Sequence, residues 1–216
     1  MNKSASLIER KKGGKMNNAS VLSARGQLIL DAAQQLFFKH GFDETSLAMI
    51  INEAGGSRRS IYNEFGNKKG LLLAVIQQQV SIQAQTLTSI QENLAPQDAL
   101  NDVCFRFVKG MMSITIRALF RLIVQQAIKW PELGQIIYQN GPVAGTLPLA
   151  NYLQKLVDSG VLNLDDCHYY AQMLLEMAKG PLHTKVLLLP EEIITDEEIK
   201  QQVNIAVGIF LKAHQA

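Results

Sequence analysis

Residues 55–70 read GGSRRSIYNEFGNKKG. The two glycines suit a tight turn, because glycine adopts positive φ without strain. Ser57 follows, a residue type that caps helix starts with its side-chain oxygen. A helix of about two turns then runs through Glu64, with Ile61 and Phe65 four apart on one face. That face turns inward, so Arg58 and Arg59 at the start of the helix must point elsewhere. Asn67 caps a further helix whose first turn holds Lys68 and Lys69. The helix dipole prefers an acid in that position. A role in holding an anion accounts for the cost, since a helix N-terminus already favours negative charge.

Upstream, residues 24–39 read ARGQLILDAAQQLFFK. Ile29, Ala33, Leu36 and Phe37 form one apolar stripe, as a helix requires. His40 and Gly41 close it, and Phe42 returns the chain to the core. Thr45 or Ser46 caps a second helix with Leu47, Ile50 and Ala54 on its inner face, and Gly55 and Gly56 stop it. Helix, tight turn and short helix make a helix-turn-helix. Its second helix enters the major groove of DNA and brings its N-terminal residues to the base edges. Ser57, Arg58, Arg59 and Ser60 hold those positions. Arginine suits guanine O6 and N7, and equally suits phosphate. Tyr62 and Asn63 carry groups able to bond to either. Charge alone does not separate this surface from a solvated charged face. The cap, turn, short helix, aromatic pair and lysines together favour DNA.

Charge distribution agrees. Residues 1–70 hold eleven Lys and Arg against six Asp and Glu, a net +5, whereas the remainder carries ten against thirteen, a net −3. A basic N-terminal third on a mildly acidic body points to a polyanionic partner for that third. The chain total of +2 hides this. Residues 1–20 are expected to be a disordered basic arm, either touching DNA or aiding solubility. With 216 residues, 47% of them hydrophobic and 19% charged, the chain can bury a sizeable core. There are only six prolines, which favours long helices. No apolar run of 18 residues is present, so no membrane span is expected, and the basic start lacks the apolar stretch of a secretory signal. A cytoplasmic location is expected. Cys104 and Cys167 lack any paired spacing and are read as buried hydrophobes. His168 and His183 are read as surface or core histidines, and no metal or cofactor is expected.

The rest of the chain reads as helix. The fourth helix should run from Asn67 toward residue 92. Further helical patterns lie near 97–110, 113–129, 132–140, 144–159, 165–180 and 196–214, divided by KWPE, NGPVAG, DSG, KGP and LLLPEE. Thr195 or Asp196 caps the last. The fold class is therefore all-α, with a helix-turn-helix domain over 21–70 joined by a long helix to a helical body over 71–216.

Residues 25–72, RGQLILDAAQQLFFKHGFDETSLAMIINEAGGSRRSIYNEFGNKKGLL, resemble the DNA-binding domain of TetR/AcrR-type bacterial transcriptional regulators. The matching elements are ILDAAQQLF with HGF, then TS, INEAG, IYNEFGNK and LL. The resemblance implies phosphate contacts from Thr45 and Lys68. It also implies that Arg58, Arg59, Ser60, Tyr62 and Asn63 lie in or beside the major groove, and that Arg25 touches the DNA backbone. Three positions depart from the pattern. Gly56 replaces a usual small aliphatic and removes a core contact from the turn. Ile51 stands where alanine is usual, and Lys69 where an acid is common.

Residues 120–142, FRLIVQQAIKWPELGQIIYQNGP, are similar to the ligand-binding domain of the AefR-like subgroup. This similarity implies a homodimer held by two C-terminal helices of each subunit, near 165–180 and 196–214, with Ala206 and Gly208 allowing close approach. Pairing also follows from DNA geometry, since one short recognition helix reads few bases. Phe105, Met111, Met112, Phe120, Trp130, Tyr138, Tyr152 and Met173 make either simple core or the walls of a pocket for an apolar or amphipathic effector. Of these, Phe105, Met112, Phe120, Tyr138, Tyr152 and Met173 are the candidate effector contacts.

The expected function is a repressor that binds a palindromic operator in double-stranded DNA as a homodimer and is released by a small molecule. A DNA binder of the same fold without an effector is the alternative. A small helical enzyme is disfavoured, because no G-x-S-x-G, Walker or H-E-x-x-H motif is present.

Overall fold

Ten α-helices follow one another in residues 22–216, the part of the chain that the computed structural model describes. The arm expected over residues 1–20 lies outside these residues. The helices are α1 (Ala24–Glu44), α2 (Leu47–Ala54), α3 (Arg58–Phe65), α4 (Lys68–Gln85), α5 (Pro96–Met111), α6 (Ile114–Lys129), α7 (Pro131–Tyr138), α8 (Leu147–Asp158), α9 (Cys167–Leu188) and α10 (Asp196–His214). A π-helical turn, Gln139–Val143, follows α7. Among the described residues the only β-pairing is an isolated bridge between Leu162 and Gln215.

Side-chain caps set the N-terminal boundaries. Ser23, Ser46, Ser57 and Asn67 each accept a hydrogen bond from the backbone N–H three residues on. Ser46, not Thr45, caps α2. Thr195 caps α10 in a reciprocal pair with Glu198, whose carboxyl is held below its ordinary pKa by the Thr195 N–H and hydroxyl.

Two helices differ from the sequence expectation. The fourth ends at Gln85 rather than near residue 92. There the hydroxyls of Thr86 and Thr88 donate to the carbonyls of Gln83 and Gln85. Arg106 of α5, paired with Asp102, takes the carbonyls of Thr86 and Ser89. Carbonyls freed at the helix end thus find partners, and the chain can turn. The ninth does not stop near 180 but breaks at Gly180 (φ 46°, ψ −143°) and resumes from Pro181 to Leu188. Gln202 of α10 donates to the Met177 carbonyl beside the break, and a side chain at Gly180 would collide with it.

Burial divides the interior into two cores. The first joins α1–α4 and includes Ile29, Phe37, Ile50, Ile61, Leu71 and Val75, with Leu119 and Leu122 of α6 and Leu133 of α7. The second joins α5, α8, α9 and α10 around residues such as Val103, Leu153, Leu174, Val203 and Phe210. α10 packs on both α5 and α9. Cys104 is fully buried there, which pushes its thiol up to about 12. Cys167 is only partly buried, because it opens α9 at the surface.

Candidate DNA-binding surface and effector cavity

The α2–α3 turn rests on two glycines with positive φ, Gly55 (71°) and Gly56 (102°). Arg25 of α1 lies across this turn and donates to the Ala54 carbonyl at 3.0 Å. A Cβ on Gly56 would stand 3.4 Å from the Arg25 Cδ. The arginine stem therefore covers the position where an aliphatic side chain is usual, and its charge caps the C-terminus of α2. Arg25 remains exposed.

Ile61 is fully buried and Phe65 partly so, which fixes the inner face of α3. The opposite face presents Arg58, Arg59, Tyr62 and Asn63 to solvent, and Tyr62 is 53% exposed. Among the described residues, neither Arg58 nor Arg59 has a hydrogen-bond or ion-pair partner. Ser57 caps α3, its Oγ accepting from the Ser60 N–H and lying 3.2 Å from the Ser60 Oγ. At the end of α3 Glu64 accepts a hydrogen bond from the Ser23 hydroxyl, tying α3 to the start of α1.

Thr45 departs from its expected role. Its side chain is fully buried, and its hydroxyl lies 2.7 Å from the Gly41 carbonyl and 3.2 Å from that of Leu36. The hydroxyl closes α1 where Gly41 (φ 80°, ψ 169°) breaks the helix, and it is not presented to a phosphate. Thr45→Val should lower stability by about 1–3 kcal/mol, because buried carbonyls lose their donor. DNA affinity measured well below the melting temperature should stay unchanged. A large loss of affinity with unchanged stability would restore Thr45 as a DNA contact.

Lys68 is half-buried over the Phe42 ring, 4.4 Å from its centroid. Its ammonium donates to the carbonyls of Thr45 (2.7 Å) and Asp43 (3.3 Å). An ammonium has three donors, so one remains for an anion. Lys69 sits over Trp130 at 4.9 Å. Beside it Lys129 of α6 pairs with Asp43 at 2.6 Å, and the bonded ammonium holds that carboxyl below its ordinary pKa. The corner between α6 and α7 is thereby fastened to the DNA-binding helices.

A cavity of about 420 Å³ lies between the two cores. α4 contributes Gln79, Val80, Gln83 and Ala84. α5 and α6 contribute Phe107, Met111, Leu119 and Phe120. The floor is completed by Tyr138, by the π-helical turn and by Leu175, Glu176 and Lys179 of α9. Of the candidate effector contacts, Phe120 and Tyr138 stand on this wall. Met112 and Tyr152 do not: they are buried in the second core. Phe105 packs against that core from its edge. Met173 lies one turn beyond exposed Tyr169 on α9, away from the cavity. Met111, Met112's neighbour, is on the wall instead, since adjacent helical residues point about 100° apart.

The amides on α4 were not singled out by sequence. Gln79 is 8% exposed and donates to the side-chain amide oxygen (Oε1) of Gln34 on α1 at 2.7 Å. Gln83 donates to the Phe107 backbone at 2.8 Å. His168 holds the π-helical turn through the Val143 carbonyl (2.7 Å) and Thr146 (3.1 Å). Ala206 is buried against the second core and is not free for a partner, while Gly208 faces open space.

A bare arginine-bearing recognition helix, a capped glycine turn and a helical body with an internal cavity define a helix-turn-helix DNA-binding regulator. Residues 29–75 match the model for bacterial regulatory proteins of the tetR family, and residues 98–216 match the AefR-like transcriptional repressor C-terminal domain. The chain belongs to the TetR family of transcriptional regulators, with an AefR-like C-terminal domain; it is not an enzyme. It is 45% identical over 47 residues to the HTH-type transcriptional repressor ComR of Escherichia coli K12, a match spanning 22% of either chain. It is 24% identical over 176 residues to the uncharacterized HTH-type regulator YvkB of Bacillus subtilis, covering 76% of this chain and 87% of that one. A TetR-family regulator from Mesorhizobium loti superposes with a TM-score of 0.82 at 23% identity, over 91% of this chain and all of that one. The flavonoid-responsive regulator FrrA superposes with a TM-score of 0.76 at 27% identity, over 88% and 97%. No helix among the described residues is long and apolar enough to cross a membrane.

Proposed function

We propose that this regulator is a repressor that binds a palindromic operator as a homodimer and leaves it when a small amphipathic molecule fills the cavity. The observation that carries this reading is the position of α4. Its first turn holds Lys68 beside the DNA-binding surface, and its last turns form a cavity wall. Gln79 joins that wall directly to α1. A ligand acts on DNA only if it prefers one placement of α4 over another. FrrA, named as flavonoid-responsive, and ComR, named as a repressor, make the reading a natural one for a relative.

In this reading Arg58 and Arg59 reach base edges. Ser57, Ser60, Tyr62, Asn63, Lys68 and Arg25 position the helix on the backbone. The dimer forms through an outward stripe on α9 and α10. Tyr169, Ile205 and Ile209 are each more than half exposed, and Gly208 between the two isoleucines leaves room for a close neighbour. Pairing sets two recognition helices at the half-site spacing of about 34–36 Å, or a multiple of it. The cavity speaks against a DNA binder that takes no effector.

Linkage supplies the test. A ligand that releases the operator must itself be weakened by the operator by the same factor. Flavonoids can be screened by thermal shift, and those that bind titrated calorimetrically with and without operator. Tighter binding to the free dimer is the expected result. Identical affinities in both states would remove that compound as an inducer. A set of cavity-bound compounds that all behaved so would remove the release mechanism.

A further inference from the structure

The charged residues on the cavity wall are Lys179 and Glu176, both on α9. Their side chains pair at 2.7 Å but are unequally placed: that of Lys179 is 11% exposed and that of Glu176 is 73% exposed. The carboxylate can turn into water at little cost, because most of its hydration is already in place. The ammonium cannot follow, and a buried charge needs a partner. The rest of the wall is mainly apolar, Phe120 and Leu175 among it, with uncharged polar groups from Gln79, Gln83, Thr146 and Gln172.

We propose, on the basis that the cavity is the effector site, that the effector is an apolar molecule bearing one anionic group, which displaces Glu176 from Lys179. A carboxylate, a sulfonate or an ionised phenol has the required chemistry. A cation would have to meet Glu176 on its solvated side, next to the Lys179 charge. A neutral ligand would leave the pair intact and draw nothing from it. The positive charge is single. His183, four residues on and past the break at Gly180, sits edge-on to Phe120 with ring centroids 5.0 Å apart, and its Nε2 is buried without a partner among the described residues. Burial, then the nearby Lys179 charge, holds its pKa below the ordinary value, so it adds no second cation at neutral pH. One ammonium facing an apolar cavity of about 420 Å³ matches a drug-sized monoanion.

The test uses two fluorescent probes with the same rings, 8-anilinonaphthalene-1-sulfonate and uncharged N-phenyl-1-naphthylamine, titrated into the full chain. Lys179→Gln should weaken the sulfonate about tenfold, the worth of a charge-assisted bond, and leave the uncharged probe nearly unchanged. Glu176→Gln should tighten the sulfonate several-fold, because its internal competitor is gone, again without effect on the uncharged probe. Ala84→Phe, which narrows the cavity from α4, should weaken both probes. Parallel changes of the two probes in both α9 variants, or no change in either, would overturn the anion assignment while leaving the cavity as the effector site. Binding of both probes that survives Ala84→Phe unaltered would place them elsewhere and remove the cavity reading itself.

Discussion

Replacing Arg58 or Arg59 with alanine will weaken operator binding by roughly 1–3 kcal/mol, about fivefold to 150-fold, and random DNA less. Both arginines are exposed at the first turn of α3, and neither is tied to another residue among those described. Their full hydrogen-bonding capacity is therefore available to bases. Lys68→Ala should behave differently. It should weaken all DNA alike and reduce the salt slope by about one phosphate's worth, near 0.9. It should also lower stability, because Lys68 joins Thr45, Asp43 and Phe42. Titrations of the three variants on operator and random DNA at several salt concentrations separate these effects. Equal losses on both DNAs for the arginine variants would remove base reading from α3.

The second large effect concerns assembly. Ile205→Asp combined with Ile209→Asp should yield a folded monomer whose operator affinity is lower by about 10²–10⁴, the usual gain from linking two binding modules. The two residues lie one turn apart on α10, about 110° around the helix from the face that buries Ile199, Val203, Ala206 and Phe210, and each is half exposed. Charges there reach water in the monomer and would be trapped unpaired in a dimer. Sedimentation would read the mass and circular dichroism the helix content. A variant that stays dimeric would move the interface off this stripe.

The local structure of the candidate DNA-binding surface is largely legible from local signals. Caps, glycines and four-residue apolar spacing act over a single turn, so Ser57, Ile61, Phe65 and Asn67 declared their places. The recognition-helix arginines followed by exclusion from the inner face. Thr45 was misleading because a buried hydroxyl and an exposed one have the same letter; only the Gly41 break shows what it closes. The cavity was half legible. Aromatic and methionine content marked the region, yet Tyr152 and Phe120 are indistinguishable until helix packing sets which side each faces. The Gln79–Gln34 bond and the Lys129–Asp43 pair join residues 45 and 86 positions apart. No periodicity encodes such pairings. The break at Gly180 is visible as a glycine–proline pair, but the pair does not say that helix resumes after it, nor that Gln202 packs against it.

The first core has a consequence for how such regulators can be recombined. Judged by the residues proposed to touch DNA, the DNA-reading unit ends at residue 70. Its interior does not: Leu119, Leu122 and Leu133 belong to the same apolar cluster as Phe37 and Leu71. The reader and the sensor interlock rather than join like beads on a string. A chimera that exchanged residues 22–70 alone would set a foreign α1 against these leucines and strip Asp43 from Lys129. Transplanting a new DNA specificity onto this sensor therefore means carrying the α6–α7 corner along, or confining the exchange to the solvent-facing positions of α3.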